Sequence, residues 1–146
     1  MRAAEMPLPP YRHVPGQNDR PDEAFFGGVK TEVETAWFYG IRLFNSGFYW
    51  EAHEVLEPVW LNARPNSRER HLVQAVIQLA NGLLKEAMAR PNARRRLAGL
   101  ARRRLLEAFP DGRGQLMGVD AVQALESADM LADGGGDVRL DLEYEL

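Results

Sequence analysis

The chain has 146 residues, 45% of them hydrophobic, a formal net charge of -3 at pH 7 and no cysteine. That length allows one domain with a core of its own, while the lack of cysteine excludes a disulfide framework, a thiolate zinc site and a cysteine nucleophile. No apolar run reaches the length of a secretion signal or the about 20 residues of a membrane span, so a cytoplasmic protein with no membrane partner is expected.

Residues 1–29 read as an extended arm. Pro7, Pro9, Pro10, Pro15 and Pro21 break any helix there, and Tyr11 and Val14 offer anchors. Gly27 and Gly28 interrupt the run Ala24-Phe25-Phe26. A helical domain follows over residues 30–132. Its first helix starts near Thr31, which has capping-box spacing to Glu34, and runs to about Asn45. It would turn Val33, Trp37, Gly40, Ile41 and Phe44 toward its neighbour.

Asn45, Ser46 and Gly47 signal a turn in which Gly47 can take a positive φ. Phe44 to Trp60 therefore reads as the elbow of a helical hairpin. The second helix, about Phe48 to Leu61, places Tyr49, Ala52, Leu56, Val59 and Trp60 on one face, with Glu51 and Glu54 well away from it. His53 stands on the edge of that face. Glu57 lies one turn further on, where a carboxylate can accept the imidazole proton or share a ligand with it. Pro58 lacks the amide that would bond the carbonyl of Glu54, so a bend is expected beside Glu57.

Two resemblances rest on these residues. The spacing of Gly40, Leu43, Gly47, Tyr49, Ala52, Leu56 and Val59 resembles one tetratricopeptide-type hairpin, with Trp37 and Pro65 each displaced by one position. The second is to the domain of unknown function 309 (DUF309) family, small helical proteins of bacteria and archaea. Phe44, Asn45, Gly47, Tyr49, Glu51, Ala52, His53, Glu54, Leu56, Glu57 and Trp60 fill its signature, Phe-Asn-x-Gly-x-Tyr-x-Glu-Ala-His-Glu-x-Leu-Glu-x-x-Trp, without a gap. The similarity continues through Gln74 and Ile77-Gln78-Leu79-Ala80 and fades toward Phe109. It implies an all-helical fold and brings no activity with it.

Asn66 and Glu69 have capping-box spacing ahead of a third helix, about Ser67 to Ala89. Leu72, Val73, Ala75, Val76, Ile77, Leu79, Ala80, Leu83 and Leu84 cover well over half its circumference, as in a central helix. His71, Gln74, Gln78, Asn81 and Lys85 are left as a narrow polar stripe. Two readings of the stripe stay open. It faces water, or Gln74 and Gln78 face His53 and Glu57, since a buried imidazole and carboxylate need partners.

Pro91 and Asn92 mark a turn before a fourth helix, about Ala93 to Phe109, with Leu97, Ala98, Ala101, Leu105 and Ala108 inward. Asp111 to Gly118 is a glycine-rich loop without the lysine and hydroxyl of a phosphate loop. Asp120, three residues before Gln123, caps a fifth helix over about Ala121 to Ala132. Residues 133–146 read as a glycine linker and an acidic tail. There Val138, Leu140, Leu142, Tyr144 and Leu146 alternate with Arg139, Asp141, Glu143 and Glu145, as in a half-buried strand. A strand with no partner in its own chain seeks one in another, so a homodimer is the expected assembly. The fold class is all-α: a bundle of about five helices built on antiparallel helical hairpins, with extended arms at both termini.

Candidate chemistry concentrates at Glu51, His53, Glu54, Glu57, Trp60, Gln74 and Gln78, read as one polar cluster or ligand site. His53-Glu54-Val55-Leu56-Glu57 starts as a zinc-protease helix does but has Glu57 where the second histidine belongs. Glu51-Ala52-His53 lacks the Glu-x-x-His spacing of ferritin-like di-metal sites. His53 and Glu57 remain candidate ligands for a divalent metal, with Glu54 or His71 to join them. Three functions follow: a small-ligand or protein-interaction module at His53 and Glu57, a metal-dependent hydrolase-like enzyme at the same residues, and nucleic-acid binding through the Arg94 to Arg104 helix. Arg95, Arg96, Arg102 and Arg103 lie opposite that helix's apolar stripe. No aromatic residue stands among them to stack a base, which disfavours nucleic acid. Arg102 and Arg103 are expected to pair with Asp129, Asp133 or the terminal carboxylates.

Overall fold

In the computed structural model, which describes residues 3–21, 32–134 and 136–142, the helical periodicity resolves into five α-helices among the described residues. They are α1 (Val33–Asn45), α2 (Tyr49–Asn62), α3 (Arg68–Ala87), α4 (Pro91–Ala108) and α5 (Ala121–Ala132). A two-stranded ribbon, β1 (Gln115–Leu116) and β2 (Val119–Asp120), joins α4 to α5 around Met117-Gly118. The fold is all-α. No helix among the described residues is long and apolar enough to cross a membrane.

The α1–α2 hairpin is closed by hydrogen bonds at its elbow. The Phe48 N–H bonds the Leu43 carbonyl at 2.9 Å and the Gly47 N–H bonds the Phe44 carbonyl at 3.1 Å, the two bonds of a Schellman cap, with Gly47 at φ 86°. The chain thus reverses over three residues, and α2 runs back along α1. At Gly40 a Cβ would fall inside the Leu56 side chain, so the missing side chain sets how closely the two helices pack. Helix α2 continues without a break through Pro58, which is exposed.

Helix α3 is the central element. It packs against α2, α4 and α5, and Leu72, Val73, Ala75, Val76, Leu79 and Ala80 are fully buried. Each large apolar side chain withdrawn from water in this way contributes about 1.5–3 kcal/mol. The cap of α3 is Ser67 rather than Asn66. Asn66 sits at φ 60°, a left-handed conformation that asparagine tolerates, and Ser67 then lies extended with its Oγ accepting the Arg70 N–H at 3.1 Å. Asp120 caps α5 as its spacing predicts, accepting from the Gln123 N–H at 3.0 Å. The glycine-rich loop leads into the small ribbon, at whose turn the Met117 carbonyl accepts the Trp37 indole N–H at 2.9 Å. At the far end Arg94, buried on α4, pairs with Glu86 of α3 at 2.7 Å and reaches the Ala132 carbonyl ending α5.

Residues 3–21 lie across α1 and α2. Ala3, Met6, Pro9, His13 and Pro21 are buried. The Tyr39 hydroxyl donates to the Pro7 carbonyl at 2.6 Å, the Arg42 guanidinium to the Met6 carbonyl, and the Arg12 guanidinium to the Ser46 carbonyl at 2.6 Å. Gln17 donates to the Ala87 carbonyl at the end of α3. The signals at Ala24 to Gly28 and at Thr31 fall outside the described residues, and Glu32 stands at the N-cap of α1 without a side-chain cap bond.

In the tail Val138 and Leu140 are buried while Arg139 and Asp141 are exposed, the alternation of a half-buried strand. Its described part nevertheless forms one isolated bridge, Val119 to Leu142, and no ladder. Side chains replace the neighbouring strand. Asn45 accepts the Leu140 N–H at 2.9 Å and donates to the Leu140 carbonyl at 2.7 Å. Gln123 accepts the Asp141 N–H at 2.8 Å, and the Ser127 hydroxyl donates to the Arg139 carbonyl at 3.0 Å. The Arg139 carbonyl, both backbone groups of Leu140 and the Asp141 amide thus have partners in their own chain, and residues 143–146 of the expected dimer strand lie outside the described part. Asn45→Ala removes both bonds to Leu140 and should lower stability by about 1–3 kcal/mol in denaturant unfolding. The Leu140 amide should also lose protection from hydrogen exchange, and unchanged protection would show that Asn45 does not hold the tail.

Candidate functional site

Helix α2 carries polar residues on two faces that meet different surroundings. His53, Glu57 and Trp60, spaced four and three residues apart, share the face toward α3, which answers with Gln74, Ile77 and Gln78. These six residues line one cavity of about 230 Å³. The polar stripe of α3 thus splits, with its two glutamines on the same cavity as His53 and Glu57.

The cavity is open, and the His53–Glu57 contact is the ion pair among its described lining residues. His53 Nε2 lies 3.4 Å from Glu57 Oε2, and the two side chains are 31% and 50% exposed, too accessible for a sealed cluster. Among the described residues neither glutamine side chain makes a hydrogen bond, and the buried Trp60 indole N–H has no partner. The expected hydrogen-bonded cluster of His53, Glu57, Gln74 and Gln78 is therefore a set of converging side chains with free valences. The outer face of the Trp60 ring carries the Arg70 guanidinium at 4.6 Å from its centroid, and that guanidinium also donates to the Ala63 carbonyl.

Other candidates fall elsewhere. Glu54 is partly exposed and does not line the cavity. His71 faces α4, with Nε2 3.0 Å from Glu107 and Nδ1 3.4 Å from the Arg104 guanidinium. His53 and Glu57 are left as two metal-ligating donors, short of the three a catalytic zinc site uses, and no group of three or more His, Cys, Asp or Glu converges among the described residues. On the arginine helix, Arg102 pairs with Asp129 at 3.0 Å, as expected from sequence, and Arg95 donates to Asn92. Arg96 and Arg103 are exposed.

Glu51 departs most from its helical-wheel position. The wheel puts it away from the apolar face, yet it is 0% exposed, because the amino-terminal arm covers that side of α2. Its Oε2 accepts the His13 N–H at 3.0 Å, while the buried Oε1 has no partner. Burial pushes the Glu51 carboxyl above its usual range; the His13 and Glu51 backbone amides and the nearby charges of His13 and Arg12 oppose this in part. The His13 ring meets Trp50 edge-on, with centroids 4.7 Å apart. Sequence reasoning missed His13, since no periodicity connects a proline-rich arm to a helix 38 residues away.

With this geometry in view, comparison with known families adds one match, to the model described as Domain of unknown function (DUF309), over residues 37–97. Residues 37–97 are thus similar to the DUF309 family. That DUF309 segment includes all six residues lining the cavity, whereas His13, the ribbon, α5 and the tail lie outside it. A comparison with curated proteins returns no match.

The raised Glu51 pKa has a definite sign in stability. Folding takes up a proton at this carboxyl, so its contribution is most favourable below the ordinary carboxylate range and declines as pH rises through the raised value. Glu51→Gln keeps an acceptor for the His13 N–H and removes the charge. Its urea midpoint should exceed the parent's at neutral pH and meet it in acid, and parallel pH profiles for the two proteins would contradict a raised pKa.

Proposed function

We propose that this helical protein is a small-ligand-binding module whose site is the cavity between α2 and α3. One observation carries the reading: an imidazole, a carboxylate and two carboxamides border a single open cavity, with His53 and Glu57 3.4 Å apart and neither glutamine side chain hydrogen-bonded among the described residues. Four polar side chains gathered on one concavity, partly exposed and with hydrogen-bonding capacity beyond the His53–Glu57 contact, supply the convergent polar groups a binding site uses. The volume, about 230 Å³, lies below the roughly 300–1,000 Å³ of sites for drug-sized ligands. A compact molecule, or one side chain of a polypeptide, is the appropriate size.

Binding is favoured over hydrolysis at these residues. His53 and Glu57 could move a proton, but among the described residues no serine, threonine or third metal ligand lines the cavity beside them to supply a nucleophile or hold a metal. A fragment survey by amide NMR should give hits that shift the Trp60 indole and the Gln74 and Gln78 side-chain resonances, with His53→Ala abolishing them. Glu57→Ala should change stability by no more than about 0.5 kcal/mol, as for an open surface position. A loss of about 1–3 kcal/mol would instead mark Glu57 as part of a closed structural cluster, and hits confined to other surfaces would remove the cavity as the site.

A further inference from the structure

We propose that the ligand of the α2–α3 cavity is an organic cation, a guanidinium or ammonium group on a short apolar stem. This rests on the reading of the cavity as a binding site and adds the charge and shape of what enters.

Charge comes first. Among the described residues Glu57 is the one carboxylate on the cavity, and no lysine or arginine lines it or lies within ion-pair distance of Glu57. The nearby Arg70 is engaged with the Trp60 ring and the Ala63 carbonyl, outside the lining. A carboxylate or phosphate ligand would be brought up to Glu57 with no lysine or arginine on the described lining to offset the repulsion, which electrostatic complementarity opposes. A cation instead replaces water around a half-exposed carboxylate whose ion-pair contact among the described residues is the His53 imidazole at 3.4 Å.

Hydrogen-bonding capacity points the same way. An ionised carboxylate only accepts, each glutamine both accepts and donates, the imidazole has at least one N–H donor, and the indole N–H of Trp60 is buried. The two glutamines can turn either end to a ligand, so Glu57, which only accepts, sets the demand for a ligand that donates. A guanidinium presents two parallel N–H groups that match both oxygens of Glu57, and an ammonium presents three.

Shape completes the match. Ile77, 8% exposed, and Trp60 provide an apolar wall for a methylene stem, as the stems of lysine and arginine bury themselves elsewhere in proteins. The Trp60 ring already holds a guanidinium on one side, which shows that its electron-rich face suits a cation. The same chemistry is carried by a free amine or guanidine and by an arginine or lysine side chain of a peptide.

The test is an amide NMR titration of the full chain with four probes: agmatine, a blocked peptide with a single central arginine, succinate, and neutral N-butylacetamide. Agmatine should shift the Trp60 indole and the Gln74 and Gln78 side-chain resonances saturably, and succinate should not. Glu57→Gln should weaken agmatine at least about tenfold while the rest of its spectrum stays that of the parent. Tighter binding of the peptide than of agmatine assigns a polypeptide source, and the reverse order a free small molecule. Succinate or N-butylacetamide shifting these resonances as tightly as agmatine, or agmatine binding Glu57→Gln unchanged, overturns the cation and leaves the cavity a binding site. Failure of agmatine and peptide alike also overturns it, and the fragment survey then decides separately whether the cavity binds anything.

Discussion

The turn from Asn45 to Phe48 is the joint on which the rest of the structure depends. Its Schellman hydrogen bonds reverse the chain within three residues, and the absence of a side chain at Gly40 lets α1 and α2 close on Leu56. Both ends of the chain are then tied to this joint. Arg12 of the amino-terminal arm bonds the Ser46 carbonyl and lies over the Phe48 ring, while Asn45 holds Leu140 of the tail by its N–H and its carbonyl. A carbonyl that a helix end leaves without a partner, and an amide at the last helical position, thus serve as docking points for two segments that have no regular structure of their own.

The same joint gives α2 its two polar environments. On the side under the arm, Glu51 is fully buried with one bond to its carboxylate and one oxygen unmatched, a costly arrangement in a low-dielectric interior. On the side toward α3, His53 and Glu57 remain accessible to solvent, 3.4 Å from each other. Two carboxylates six residues apart on one helix therefore have opposite roles: the first ties down a strap, and the second faces a cavity. Burial decides between them, because both are glutamates in the same stretch of helix.

Charge elsewhere is largely used between helices. Arg94 joins the ends of α3, α4 and α5 from a buried position, whereas the exposed Arg102–Asp129 pair contributes only about 0–1 kcal/mol. His71, although it continues the polar stripe of α3, is drawn to Glu107 and Arg104 of α4 and away from the cavity. What distinguishes the polar residues of α3 is thus which neighbour they meet, α2 or α4.

The sequence by itself determined the five helices, the central place of α3 and the elbow at Gly47. These follow from local rules: apolar residues at helical spacing, cap residues, and a glycine where the backbone must turn left-handed. It also carried the DUF309 motif and the membership of His53, Glu57, Gln74 and Gln78 in a common set. Only the tertiary structure decided how that set is arranged. The helical wheel describes a helix against one neighbour, and α2 has two, α3 and the arm, so Glu51 is buried where its position alone argued for exposure. The tail shows the same limit. Its alternation was legible, but whether Leu140 met another strand or the side chain of Asn45, 95 residues away, depends on where the elbow stands, and no local pattern encodes that distance. The open cavity is decided likewise, since the accessibility of His53 and Glu57 is set by the separation of two packed helices and not by the spacing of residues along either one.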